Sequence, residues 1–208
     1  RAFIQITPFS SWSWSFLTAT RMPTNDVRLV RPDRCPAHRA DRAAARQGAG
    51  INIFVPDPCP VRSAQMLANR HVVKMALESA QMLSTALQAN GVAAAGLYRP
   101  AYAKHPCTLW TGVSRQNFLW LCDHADALCA EKLVRYPDRP GHKSQAVITL
   151  ARSLAAQLPD TGLSPFAQAM PDQYRNRCTH AAYRAYLRAK YASWARPARF
   201  GADQSLVR

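Results

Sequence analysis

The sequence predicts a mainly α-helical fold: a compact single domain with one short N-terminal strand and long proline-rich loops. Three observations carry this. Long stretches, above all 69–87 and 115–136, repeat apolar residues at helical spacing. Only "INIFV" reads as a β-branched and aromatic run. The stretches between are punctuated by many of the chain's 15 prolines.

The elements follow in order. "INIFV" (51–55) is read as a strand that Pro56, Pro58 and Pro60 end. A helix over 61–90, broken near Asn69, has Gly91 to close it. Residues 91–110 read as a loop. Ser114 suits the N-cap of a long helix that ends at "PDRPGHKS", and a third helix spans 144–157. "LPDTGLSPFAQAMPDQYR" connects to a last helix, "THAAYRAYLRAKYASWA", in which Tyr183, Leu187, Tyr191 and Trp194 form a stripe expected in the core. Residues 1–50 have no sustained period, eight Arg, no Lys and three acidic residues. They read as a disordered basic arm or a translated segment upstream of the natural start, and the helical domain as 51–208.

The formal charge of +15, with 27 Lys and Arg against 12 Asp and Glu, favours a polyanionic partner such as DNA. Residues 51–208 keep 19 cationic against 9 acidic residues, so the domain itself is basic. Six cysteines are scattered without a C-x-x-C pair, and there is neither a secretory signal nor a 20-residue apolar span; the expected compartment is reduced and cytoplasmic, with no membrane association. His105 and Cys107 lack the paired short spacing of a metal site, so neither metal nor cofactor is expected.

Three polar constellations interrupt the apolar pattern. His71, Lys74, Glu78, Gln81 and Thr85 recur at steps of three and four along a helix that is otherwise largely apolar. Lys74 and Glu78, four apart, form either a surface ion pair or a reactive amine and carboxylate at a cleft. On the next long helix Asn117, His124 and Glu131 recur at sevens beside Trp120; Trp120 and Asn117 would offer a stacking surface and hydrogen bonds to an extruded base. The loops alternate cations with rings: "YRPAYAKHPCTLW" brings Arg99, Lys104 and His105, and "RYPDRPGHKS" brings Arg135, Arg139, His142 and Lys143. Arg184 and Arg188 on the last helix suit either solvent cover or a phosphate track.

The ordered blocks "NIFVPD", "RHVVKMALESAQMLSTAL", "YRPAYAKHPCTLW", "NFLWLCDHADALCAEKLVRY" and "LSPFAQAMPDQYR" resemble a family common in bacteriophage genomes. The order of strand, basic-acidic helix, "HP" loop and long helix is similar to the phage pyrimidine-dimer DNA glycosylases of the endonuclease V type. That resemblance implies a small helical enzyme of a bacterial host cell. Its N-terminal α-amine attacks the sugar C1′, a helix-borne Glu stabilises the intermediate, and arginines grip the DNA. Residue matching makes Glu78 the counterpart of that carboxylate, with Arg70 and Lys74 as its cationic neighbours. Because fifty residues precede the domain, either the natural chain starts near Ile51 or Lys74 supplies the amine.

The expected function is therefore a DNA glycosylase with lyase activity, with a DNA thymine-modifying transferase and a non-catalytic nucleic-acid-binding module as alternatives. The candidate catalytic residues are Lys74, Glu78, His71 and His124. The candidate DNA contacts are Arg70, Arg99, Lys104, His105, Asn117, Trp120, Arg135, His142, Lys143, Arg184 and Arg188. The two polar rows are expected to face one another across one cleft.

Overall fold

The computed structural model describes residues 50–201, so the expected basic arm lies outside the described residues. The fold is mainly helical, as the periodicity predicts. Its elements are α1 (Pro60–Gln65), α2 (Asn69–Ala89), α3 (Pro106–Val113), α4 (Arg115–Arg135), α5 (Gln145–Ser153) and α6 (Thr179–Ala192), with single 3-10 turns at Ala155–Gln157 and Asp172–Tyr174. The long helices α2 and α4 pack on each other and are flanked by α1, α3 and α5. Between them lies the core, with Leu67, Met75, Leu83, Leu87, Phe118, Leu121, Leu128, Ile148, Tyr183 and Leu187 all buried.

The expected strand over Ile51–Val55 is instead an irregular buried segment without a ladder partner among the described residues. Its polar groups are met by side chains. The Asn52 N–H donates to Glu78 Oε2 at 3.1 Å, Ser63 Oγ donates to the Phe54 carbonyl, and His180 Nδ1 to that of Val55. β-propensity here reflects burial of branched side chains, and helices rather than a second strand supply that burial.

The break near Asn69 is real: residues 66–68 separate α1 from α2. Arg135 fills it from the end of α4. Its guanidinium donates to the carbonyls of Gln65 (2.8 Å) and Leu67 (2.6 Å) and to Asn69 Oδ1 (3.0 Å), taking acceptors left over where one helix ends and the next begins. The N-terminus of α2 has no side-chain cap; the Asn69 N–H finds the Arg199 carbonyl at 2.7 Å. At the other end Gly91 takes φ +79°, the left-handed conformation that suits glycine after a helix.

The expected loop over 91–110 hides a helix. His105 caps α3, its Nδ1 accepting from the Cys107 N–H at 3.2 Å, and Pro106 occupies the first turn. The remainder of that loop is tied to α2 by the lower half of the polar stripe. Thr85 Oγ1 accepts from the Ala101 N–H, Ser84 Oγ accepts from that of Tyr98, and Gln88 Nε2 donates to the Tyr98 carbonyl. Ser114 caps α4 as expected, accepting from the Asn117 N–H.

Candidate functional site

Polar residues on a packed helix have a reason to persist only if they are satisfied or used. The polar row of α2 from His71 to Thr85 divides on that criterion. Thr85 and its neighbours hold a loop, while Lys74 lines an open cleft of about 700 Å³ and Glu78 is paired with it from behind.

The first turns of α2, the end of α4 with its following loop, and the end of α6 form this cleft. Arg70, His71 and Lys74 come from α2, Lys132, Tyr136 and Arg139 from the second wall, and Lys190 and Trp194 from the third. Five of these are cations and none of the lining residues is acidic. Like charges so placed create a positive field that a polyanion relieves. Arg70 lies over the Trp194 ring, its Cζ 4.8 Å from the centroid, and Arg139 over Tyr136 at 5.7 Å.

Lys74 Nζ donates to Glu78 Oε1 at 2.7 Å; the Lys side chain is 52% exposed and the Glu side chain 10%. The amine is thus open to the cleft while the carboxylate stands behind it. Glu78 Oε2 meanwhile accepts from Asn52 N. Asn52 continues inward: its Oδ1 accepts from the Tyr183 hydroxyl and the Cys107 thiol, and its Nδ2 donates to the Ala169 carbonyl. Burial pushes the Cys107 thiol up to about 12 and the Tyr183 hydroxyl well above its ordinary value, so both stay neutral donors.

His71 closes the inner end of the cleft. Its ring packs against Phe54, Tyr191 and Trp194, and its Nδ1 lies 2.9 Å from the Tyr191 hydroxyl. Burial, reinforced by Lys190, Lys74 and Arg70, lowers its pKa to about 3. A histidine so held is a neutral wall, not a proton shuttle at neutral pH.

Other expected site residues are placed elsewhere. His124 is buried, stacked on Trp120 with centroids 5.3 Å apart, and its Nδ1 donates to the Pro60 carbonyl while Nε2 has no partner. Burial lowers its pKa to about 4. Asn117 is spent on the Trp110 carbonyl and Ser164, and Trp120 donates to the Pro58 carbonyl within a cluster with Trp110 and Phe166. The row on α4 is therefore a packing row: it does not line the cleft opposite Lys74, because its donors are used inside the domain. The Arg135 side chain, 3% exposed, is engaged at the α1–α2 break rather than in the cleft. Arg184 donates to the Pro56 carbonyl. His105 is the α3 cap, and Arg99 and Lys104 are exposed on the loop before it. Arg188 is exposed on α6 and borders a second, mostly apolar hollow with Tyr191 and Phe200.

His142 and Lys143 follow the loop that brings Tyr136 and Arg139 to the cleft. His142 Nε2 donates to the Val73 carbonyl at 3.1 Å and its Nδ1 accepts from the Ser144 N–H, which pins the loop beside Lys74; Lys143 is exposed next to it. Sequence reasoning missed Lys132 and Lys190 and placed Trp194 in the core. Trp194 lies two residues past the end of α6, partly exposed, where the helical stripe no longer applies.

The two buried histidines set an expected pH response. Both have folded pKa values below the ordinary 6.5, so the unfolded chain binds protons that the folded chain refuses. Their neutral burial is fully tolerated above pH 6.5 and penalised as pH falls below it, by up to about 1.4 kcal/mol per pH unit per histidine. Urea midpoints should hold level from pH 8 to 7 and fall from 6.5 to 5. His71→Phe and His124→Phe should flatten the decline; a wild type with no decline over that window contradicts the assignment.

Among the described residues no group of three His, Cys, Asp or Glu side chains is placed to hold a metal ion, and no helix is long and apolar enough to cross a membrane. No curated protein and no solved structure matches the chain. Residues 51–144 match the model of a family described as pyrimidine dimer DNA glycosylase. The matched span carries Glu78, Lys74, Arg70 and the α4 wall of the cleft, and it stops before α6. Over residues 51–144 the chain is similar to the pyrimidine-dimer DNA glycosylases, a similarity that supports a function of the DNA glycosylase type, with DNA as the substrate.

Proposed function

We propose that this protein is a DNA glycosylase with lyase activity, in which Lys74 is the attacking amine and Glu78 its partner carboxylate at the edge of the basic cleft. The observation that carries the reading is the 2.7 Å contact between Lys74 Nζ and Glu78 Oε1, exposed on the amine side and buried on the carboxylate side.

The chemistry follows from that arrangement. An ammonium does not attack, so Lys74 first gives up a proton, for which Glu78 Oε1 is the acceptor in contact. The free amine forms a bond to the sugar C1′ as the bond from C1′ to the base breaks, and the departing base takes up the proton that Glu78 accepted, which restores the carboxylate. Opening of the sugar ring leaves an iminium on Lys74, whose positive charge the Glu78 carboxylate stabilises. Loss of a proton from C2′ then expels the 3′ phosphate, and water releases the amine. Arg70, Lys132, Arg139 and Lys190 supply phosphate contacts. Of the DNA contacts expected from sequence, Arg99, Lys104 and Lys143 are exposed cations outside the lining of the cleft.

A second reading rests on a separate contact. Asn52 N lies 3.1 Å from Glu78 Oε2, on the other oxygen of the same carboxylate. In a chain begun or cut at residue 52, that nitrogen is an α-amine, and it replaces Lys74 as the nucleophile.

Borohydride reduction separates the two. An imine on either amine becomes a permanent adduct with lesion-bearing DNA, and peptide mapping tells whether the sugar is on Lys74 or on residue 52. Lys74→Ala is expected to abolish the adduct while DNA affinity falls less than about threefold, because one partly exposed phosphate contact is a small share of the total. Trapping that survives in Lys74→Ala moves the nucleophile to residue 52. Absence of trapping by the wild type on any lesion leaves the thymine-modifying transferase or the binding module.

A further inference from the structure

Residues 51–55 are buried but belong to no helix or strand, so no ladder fixes where their backbone sits. Individual side-chain bonds hold it instead. Asn52 Oδ1 accepts from the Ile53 N–H at 2.8 Å, from the Tyr183 hydroxyl at 3.3 Å and from the Cys107 thiol at 3.5 Å, while its Nδ2 donates to the Ala169 carbonyl at 2.7 Å. Tyr183 is fully buried and fixed in turn. Its hydroxyl accepts from the Ala169 N–H at 3.3 Å and shares its proton between Asn52 Oδ1 and the Ala167 carbonyl. A side-chain amide placed in this way uses both of its halves. A carboxylate could not donate to Ala169, and an apolar residue could neither donate nor accept. Three distant parts of the chain, α3, the segment 167–169 and α6, therefore meet on one amide.

The backbone N–H of the same residue donates to Glu78 Oε2 at 3.1 Å, which leaves Oε1 turned to Lys74 Nζ at 2.7 Å. A carboxylate turns freely about its last bond unless its oxygens are met from fixed directions. Lys74 is long and half-exposed and sets no such direction; a buried backbone N–H does. We propose that Asn52 and Tyr183 are positioning residues for the Glu78 carboxylate: Tyr183 anchors the Asn52 side chain, and the Asn52 N–H orients the carboxylate. The inference rests on the glycosylase reading above for what the carboxylate does. It applies under either choice of amine, because in the second reading the same anchor holds the nucleophile itself. Tyr183 lies beyond the matched residues 51–144, so α6 takes part in the site through a buried hydroxyl as well as through the cleft wall.

The test uses the full chain and single-turnover base release from dimer-bearing duplex, with duplex affinity and melting measured beside it. Tyr183→Phe keeps the ring in the core and removes only the hydroxyl. It should slow base release about tenfold, and Asn52→Ala about 10²-fold, the scale of a misplacement of about 1 Å at a reacting group. Duplex affinity should stay within about twofold in both, since neither residue lines the cleft. Substitutions that act through one group do not add. Tyr183→Phe should therefore have no further effect on the rate of Asn52→Ala, and neither should lower the residual rate of Glu78→Gln more than about twofold. Should Asn52→Ala not fold, Tyr183→Phe in the Glu78→Gln background decides. Losses that multiply in that background, or a folded Tyr183→Phe that releases base within about twofold of the wild-type rate, overturn the proposal. Amide hydrogen exchange at Asn52, read by NMR, follows the anchor apart from the chemistry, and Tyr183→Phe should speed it at least about tenfold. A wild type that releases no base but shows this acceleration removes the glycosylase reading alone. One that releases base while Tyr183→Phe matches it in exchange and in rate removes the positioning alone.

Discussion

Glu78→Gln should lower base release by about 10² to 10³-fold while the protein still binds undamaged DNA at least as tightly as the wild type. The substitution keeps the length of the side chain and removes its charge. In the folded domain the two carboxylate oxygens accept from different donors, Lys74 Nζ at 2.7 Å and Asn52 N at 3.1 Å. An amide has one acceptor oxygen, so its NH2 would face one of these donors with nothing to offer it. The amine would also lose the group in contact that takes its proton and later balances the iminium charge. Affinity moves the other way, since deleting a negative charge beside five cations strengthens the field toward phosphate. The measurement pairs a base-release or nicking assay on dimer-bearing duplex with anisotropy on intact duplex. Base release within tenfold of wild type in a folded Glu78→Gln protein would remove the carboxylate from the chemistry under either choice of amine.

A second large effect is expected far from catalysis. Arg135→Ala should cost about 3 kcal/mol of stability, read as a lower urea midpoint, because it strips partners from several buried groups at once. The guanidinium binds Glu131 at 2.8 Å, two carbonyls and Asn69 Oδ1, and its side chain is 3% exposed. Glu131, 16% exposed, would be left as a largely buried charge without its counterion. Arg135→Lys should recover little, since a single ammonium cannot reproduce a fork that reaches carbonyls on both sides of a helix break. If Arg135→Ala instead melts like the wild type and loses DNA affinity with a shallower salt slope, the residue belongs to the phosphate contacts that its place in a basic loop suggested.

Arg135 also shows why part of the site was illegible. From sequence it stands in "RYPDRPGHKS" among exposed cations, and nothing local distinguishes a phosphate contact from a plug for a break near residue 67. Only tertiary distance decides. The same holds for Asn117 and His124, whose heptad spacing with Trp120 beside them marked one face of α4 but not that the face looks inward to the Trp110 and Phe166 cluster. Features whose cause is local were legible: the Ser114 cap, the helix break, the glycine after α2, and the closeness of Lys74 and Glu78 one turn apart. His105 was the exception among local features, since histidine is an uncommon cap and the "HP" pair reads as loop. Trp194 was lost because a stripe was continued past the end of α6. The buried segment at 51–55 was taken for a strand because β-branched residues signal burial more than they signal pairing.

The joining of the α2 and α6 walls has a consequence for the order in which this molecule can acquire its charged surface. His71 and Tyr191 touch although they stand 120 residues apart in sequence, and Asn69 is held by the carbonyl of Arg199. Closing so long a stretch costs chain entropy that local helix formation does not return, so this wall of the cleft depends on long-range contacts rather than on α2 alone. A chain synthesised only as far as α5 carries Arg70, Lys74 and Lys132 but lacks Lys190 and Trp194, and so has a basic face without a finished cleft. Because Tyr183 and Leu187 of α6 are buried in the core, loosening α6 would disturb the core and the cleft together.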